Sequence, residues 1–177
     1  MIELGGHGPV GNIEPRSNIP GRHRIVHRSV VLAGDNRGTT GRGIGFVPYS
    51  PLGRGFLTGT LTKDLVAGDF RGGTERVGEA WETNQTIVDI VAEVALRHDA
   101  TNAQIALAWL LHRAAQFGVA AVTIPGSRKP ERSVENLGAL DLRLGTEDMG
   151  SLDAIRILVE GTRNIVDNPQ WISSGRE

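Results

Sequence analysis

Two short apolar runs, residues 44–49 and 120–124, each stop at a proline and are each followed by helically spaced sequence. Runs of this length between turn residues are what strands buried on both faces look like. Pro51 stops further ladder pairing after the first, and Pro125 with Gly126 ends the second. Strands alternating with helices favour an α/β arrangement with parallel strands, because a parallel pair needs a long crossover. No internal repeat is evident.

The helical segments can be placed by spacing. Ile87, Ile90, Val91, Val94 and Ala95 recur on one helical face, which predicts an amphipathic helix over residues 80–98. Thr101-Asn-Ala-Gln104 is a capping box, in which the hydroxyl serves one orphan amide and Gln104 reaches back to another. The helix it starts runs to about Arg113 and is apolar nearly all round, so it should be deeply buried. Pro130 suits the first position of a helix over 130–138. Thr146 is placed to cap a last helix through Leu158, with Met149, Leu152, Ile155 and Ile157 as its apolar set. Residues 53–80 are glycine-rich and read as a long loop. The tail, residues 159–177, carries Trp171 but no period.

Residues 1–43 differ in kind. They hold six arginines against three acids, a charge of +3 in a chain of net charge −1, and nine of its 24 glycines. Beyond one strand-like stretch at 29–33, they have too little periodic apolar sequence to offset chain entropy, which reads as loop or disorder. The near-zero net charge gives no electrostatic reason to expect a nucleic-acid partner. No run reaches eighteen apolar residues, so no membrane span is expected, and the first residues lack the pattern of a secretory signal. Cysteine is absent, which removes disulfides and thiolate chemistry and suits a cytoplasmic protein.

Both proline turns have anion-binding chemistry. In the first, small residues let the amides of Ser50 to Gly55 approach a ligand, as a pyrophosphate requires. Ser50 adds a hydroxyl, Arg54 a charge, and Tyr49 a ring that can lie on a flat heterocycle. Gly53, Gly55 and Gly59 do not make a GxGxxG fingerprint. In the second, Gly126 and Ser127 precede a helix start whose free amides favour an anion. Arg132 and Asn136 share one helix face, so a guanidinium fork on a phosphate and an amide on an adenine edge or ribose can act together. Arg128 and Lys129 add positive charge. The same spacings also fit a plain strand–turn and an ordinary helix start with a solvated basic rim.

Other groupings read as structural. His23 and His27 have no third ligand and make no metal site. His98 and His112 fit solvated helix ends, and Asp89, Glu93 and Arg97 fit a solvent-face ladder. Trp109 reads as core.

Taken in order, FVPYSPLGRGFLTG, Asp69-Phe-Arg71, NAQIALAWLL, TIPGSRKPERSVENLGALDLRL and TEDMGSLDAI resemble the aldo-keto reductase family over residues 44–158. The resemblance implies a partial (β/α)8 TIM barrel, approximately its last strands and helices, and an NADPH (NADP+) cofactor. By similarity, Tyr49 stacks on the nicotinamide, and Ser50, Leu52, Gly53 and Arg54 border the pyrophosphate. Gly126, Ser127, Arg128 and Arg132 would take the 2′-phosphate, with Glu135 and Asn136 at the adenine. No residue matches the family's Asp, Tyr, Lys and His tetrad, so no catalytic residue is assigned. Tyr49 is the only tyrosine, and Glu75-Arg-Val77 replaces the family's Pro-Arg-Phe. Residues 1–43 do not resemble the family, and their abrupt switch of composition suggests a shifted reading frame. The implied function is NADP(H)-linked reduction of a small carbonyl substrate, in a chain truncated and inactive alone. The alternative is a non-catalytic NADPH-binding or barrel-completing module that self-associates through exposed barrel edges.

Overall fold

The computed structural model describes residues 44–161 and, ahead of them, the backbone of strand β1 (Arg24–Val26). The segment 1–23, the strand-like stretch at 29–33, His23, His27 and Trp171 lie outside the described residues.

β1 pairs in parallel with β2 (Ile44–Phe46), with Ile25 opposite Gly45. On its other edge, the Phe46 N–H donates to Ala120 O at 2.8 Å, and the Val122 N–H donates to Phe46 O at 3.0 Å. Ala121 is thereby bridged in parallel to Phe46. The parallel order expected of a partial barrel is present, but helices dominate and the strands are short. The run at 120–124, expected as a strand, makes only this bridge. The reason is cover: Val122 is 64% and Ile124 45% exposed, so among the described residues no layer buries that run.

The stretch 53–80, expected as loop, is largely structured. It holds two short 3-10 turns within Gly53–Thr58 and a five-residue helix, α1 (Lys63–Ala67). Thr62 caps α1 by accepting from the Leu65 N–H at 3.3 Å. Further turns follow, closed by Gly72 N–H to Asp69 O, Thr74 N–H to Arg71 O and Gly78 N–H to Thr74 O.

Helix α2 (Trp81–Arg97) buries Trp81, Asn84, Ile87, Val88, Val91, Val94 and Ala95, a stripe at three- and four-residue spacing. Helix α3 (Asn102–Gln116) begins with the expected capping box, the Thr101 N–H donating to Gln104 Oε1 at 2.9 Å. Its Ile105, Ala106, Leu107 and Ala108 are buried as expected. Helix α4 (Pro130–Leu137) runs into a 3-10 turn at Gly138–Leu140, and α5 (Thr146–Leu158) follows.

At α5 the expected cap is replaced. Thr146 is already helical, and the Asp148 carboxylate reaches back to accept from the Gly145 N–H at 3.1 Å. Ile157 is 81% exposed rather than core. It lies five residues beyond the buried Leu152, a rotation of about 140° at 3.6 residues per turn.

Val91, Val94, Ile105, Leu107, Ala108, Leu144, Met149 and Leu152 form the main core between α2, α3 and α5. Trp109 sits half-buried at its margin, donating its indole N–H to Asp153 Oδ1 at 2.9 Å. The Arg113 guanidinium also holds Asp153. A second cluster, Phe56, Val66, Val77, Trp81 and Val88, packs the 3-10 turns and α1 onto the start of α2. Within it, Phe56 and Trp81 meet edge to face at 5.4 Å.

Polar contacts join α2 to α5. Arg97, expected to face solvent in a ladder, donates from Nη2 to Asp148 Oδ1 at 2.8 Å. His98, expected as a solvated cap, contacts Asp148 Oδ2 through Nε2 at 2.8 Å. Because an ionised carboxylate only accepts, Nε2 carries the proton. His112 is likewise engaged, Nδ1 with Ala108 O at 2.9 Å and Nε2 with the Leu144 N–H at 3.4 Å. Burial raises the Asp148 pKa, but hydrogen bonds from His98, Arg97 and the Gly145 amide outweigh it and hold the value at about 2. Among the described residues, no helix is long and apolar enough to cross a membrane.

Asp148 is therefore an acid-sensitive bond. Its folded-state pKa is depressed, so its contribution is complete above the unfolded carboxylate range and is lost as pH falls from 3.8 towards about 2. Denaturant titrations of Asp148→Asn at pH 7 should show a loss of about 1.5–3 kcal/mol, the range for hydrogen bonds to a charge. The wild-type excess over this variant should vanish across that acid window; a pH-independent difference would remove the charge from the account. Ile105→Ala, at the centre of the main core, should cost about 2–5 kcal/mol in the same assay.

Candidate functional site

The chain leaves β2 through Val47 and the buried Pro48, and then turns sharply. The Gly53 N–H closes a turn on Ser50 O at 2.9 Å, with Pro51 and Leu52 at its two central positions. Proline presets the first of these, and Leu52, at φ −102° and ψ 18°, has the geometry of the second position of a type I turn. A second turn overlaps it, the Gly55 N–H donating to Leu52 O at 2.9 Å.

This loop is unusual in backbone conformation. Ser50, Gly53, Arg54 and Gly55 all have positive φ, at 50°, 58°, 57° and 95°. Glycine takes such angles freely, whereas Ser50 and Arg54 store local strain. Their angles must be held by contacts. Leu52 supplies one by packing against the main core, and Phe56 another by filling the second cluster.

Arg71 supplies a third. Its Nη1 donates to Arg54 O at 3.1 Å, while its Nε donates to both Asp69 oxygens at 3.0 and 2.8 Å. These bonds hold the Asp69 carboxyl below its usual range. Phe70, between them, lies under the Arg54 guanidinium, whose carbon is 5.4 Å from the ring centroid. The Asp69-Phe-Arg71 motif thus clamps the loop from outside.

The loop borders a cavity of about 260 Å³. Tyr49, Ser50, Gly53 and Arg54 line it, joined by Arg71, Thr74, Arg76 and Asn84 as polar groups and Phe56, Val77, Ile87, Ile155 and Val159 as apolar ones. Tyr49 is 39% exposed at its edge. Among the described residues, the Ser50 hydroxyl has no hydrogen-bond partner. Such a site, with an apolar floor and a cationic rim, suits an anion carried on a larger body.

The second turn is separate from this cavity. Gly126, Ser127, Arg128, Arg132 and Glu135 are exposed, and Asn136 is half-buried. Ser127 Oγ accepts from the Lys129 N–H at 3.0 Å, shaping the approach to α4. No side chain caps α4; Pro130 in its first turn has no N–H to satisfy, and the Arg132 N–H closes a turn on Lys129 O at 3.2 Å. Among the described residues, the side chains of Arg132 and Asn136 have no protein partner. Glu135 is engaged: its Oε1 accepts from the Thr101 hydroxyl and its backbone O from Gln104 Nε2, both at 2.8 Å. The capping box of α3 therefore also anchors α4.

Of the residues singled out from sequence, Tyr49, Ser50, Gly53 and Arg54 come together in the cavity, and Leu52 turns inward to the core. The remaining six cluster at α4. Arg71 and Arg76 were read only as parts of the 69–71 and 75–77 stretches and not as site residues, and Asn84 was not singled out. Asn84 had a legible signal: a polar residue on the apolar stripe of α2, between Trp81 and Ile87. Among the described residues, no group of three or more acidic or histidine side chains has the geometry to hold a metal ion.

The chain is 33% identical over 144 residues to an aldo-keto reductase of Strobilurus tenacellus, covering 72% of this chain and 40% of that protein. To an aldo-keto reductase of Glycine max it is 38% identical over 109 residues, covering 60% of this chain and 30% of the relative. The chain thus spans between 30% and 40% of the length of these curated relatives. Among solved structures, a thermostable aldo-keto reductase in complex with the inhibitor epalrestat is 29% identical, with a TM-score of 0.43, covering 64% of this chain and 30% of that one. The sequence model of the aldo/keto reductase family matches residues 37–157, which is most of the 177, and the chain belongs to that family.

Proposed function

We propose that this chain carries the NADP(H)-binding corners of an aldo-keto reductase, built on the last strands and helices of a (β/α)8 barrel. The observation that supports this most is the shared cavity of Tyr49, Ser50, Gly53 and Arg54 beneath a loop whose backbone is turned to positive φ. Ser50, Leu52, Gly53 and Arg54 border the pyrophosphate, and Tyr49 lies on the nicotinamide. Gly126, Ser127, Arg128 and Arg132 take the 2′-phosphate, and Glu135 and Asn136 the adenine. A planar guanidinium forks a phosphate better than any other side chain, and Arg132 is exposed without a protein partner among the described residues.

Bound NADPH supplies hydride to the carbon of a small carbonyl substrate. This chain contributes binding and orientation. Its one tyrosine, Tyr49, is assigned to the cofactor, so no tyrosine remains to protonate the carbonyl oxygen. We therefore assign the isolated chain cofactor binding without turnover, the catalytic tetrad being supplied by other sequence.

A second reading, a barrel-completing module, is supported by the exposed Val122 and Ile124 beside β2. Apolar side chains on a weakly paired strand are a natural surface for association.

NADPH titration followed by nicotinamide and tryptophan fluorescence tests the first reading. Saturable binding is expected, weakened about tenfold or more by Arg132→Ala, a loss of about 1.4 kcal/mol. NADH affinity should be unaffected by that substitution. Equal weakening of both nucleotides would remove Arg132 from the 2′-phosphate. For the second reading, sedimentation should show association that the double substitution Val122→Lys, Ile124→Lys abolishes; a wild-type monomer would eliminate it.

A further inference from the structure

Asn84 is wholly buried, at 0% exposure, on a helix face otherwise given to Trp81, Ile87, Val88 and Val91. Its side chain makes three hydrogen bonds. Nδ2 donates to Arg76 O at 2.8 Å and to Glu160 O at 2.9 Å. Oδ1 accepts from the Glu160 N–H at 2.9 Å. One amide therefore pairs both backbone groups of Glu160, much as a neighbouring strand would, and joins them to the turn before α2. A buried amide so satisfied is specific, because any apolar replacement strands three backbone groups at once.

The same place is held a second time. Arg76 Nε and Nη2 both donate to Gly161 O, at 3.1 and 3.0 Å. Gly161 has φ 76°, and a Cβ there would lie 2.8 Å from Arg76 N and 2.9 Å from the Glu75 carbonyl carbon. Only glycine lets the chain pass this close to the 75–76 backbone.

The segment so held begins with Val159, which lines the cavity together with Ile155, Arg76 and Asn84 itself. After α5 ends at Leu158, the chain could depart in many directions. The Asn84 amide and the Arg76 guanidinium fold it back across the cavity side of α2.

We propose that Asn84 is a positioning residue for ligand retention: it straps residues 159–161 against the 75–77 turn as a wall of the cavity, and ligand leaves when that strap lets go. The strap acts on how long a ligand stays rather than on how it is first met. This inference rests on the cofactor reading above, with the nicotinamide and pyrophosphate part of NADPH in the cavity.

Stopped-flow association and release of NADPH, with wild type, Asn84→Leu and Gly161→Ala, tests it, and each melting temperature is read in parallel. Gly161→Ala displaces the strap without touching Asn84 or the core, so it serves if Asn84→Leu does not fold. Release should quicken about tenfold or more in each folded variant, with association near the wild-type rate, since interface changes act mainly on dissociation. Variants that melt lower but release NADPH at the wild-type rate would show Asn84 to be purely structural and overturn the proposal. No saturable binding by the wild-type chain would overturn the cofactor reading and this inference with it, an outcome distinct from binding that the strap does not govern.

Discussion

The Asp148 carboxylate sits where α2 ends and α5 begins, and it completes both. It takes the last cationic side chains of α2, Arg97 and His98, and the first free amide before α5, that of Gly145. A helix C-terminus favours cations and an N-terminus favours anions, so one buried acid between the two ends meets both preferences. The consequence is angular. With its first turn fixed, α5 lays Met149 and Leu152 into the core shared by α2 and α3. It then delivers Ile155 and Val159 to the cavity at its other end. The cavity wall is set about three turns from the bond that orients it.

The cavity's opposite wall depends on a different constraint, the strained loop after β2. Positive φ at Ser50 and Arg54 persists only because neighbouring contacts over-determine it. Leu52 is drawn into the core, Phe56 is locked against Trp81, and Arg71 holds Arg54 O. These contacts come from three segments of the chain. The loop is therefore preorganised by the helical layer rather than by its own sequence, which lowers the ordering cost of binding.

Helices were legible because their signals are local. The 3.6-residue stripe of α2, the Thr101 box and Pro130 each fixed an element within a few residues. The cap of α5 was misread because Thr146 and Asp148 are both good capping types, and only the tertiary partners Arg97 and His98 decide for the acid. The stretch 53–80 was read as loop because its glycines mask a chain of hydrogen-bonded turns. Strand 120–124 was over-read, since an apolar run says nothing about whether a layer covers it. β1, at Arg24–Val26, lies in sequence whose composition suggested no order, and its pairing is non-local.

The two halves of the candidate site differ in how far sequence can reach them. The residues at α4 are near neighbours in the chain, so spacing alone puts Arg132 and Asn136 on one face. The cavity is assembled from positions over a hundred residues apart, from Tyr49 to Val159. Its polar members outside the loop, Arg71, Arg76 and Asn84, each bond a backbone oxygen of another segment, although Arg71 also bonds Asp69 within its own motif. A backbone oxygen has no residue identity, so such partners leave no covarying letter or motif. What the sequence can show is the misfit left behind: an asparagine on an apolar stripe, or a glycine just past the end of a helix. In this chain Asn84 and Gly161 are two such misfits: Asn84 bonds Glu160, and Gly161 packs against the 75–76 backbone.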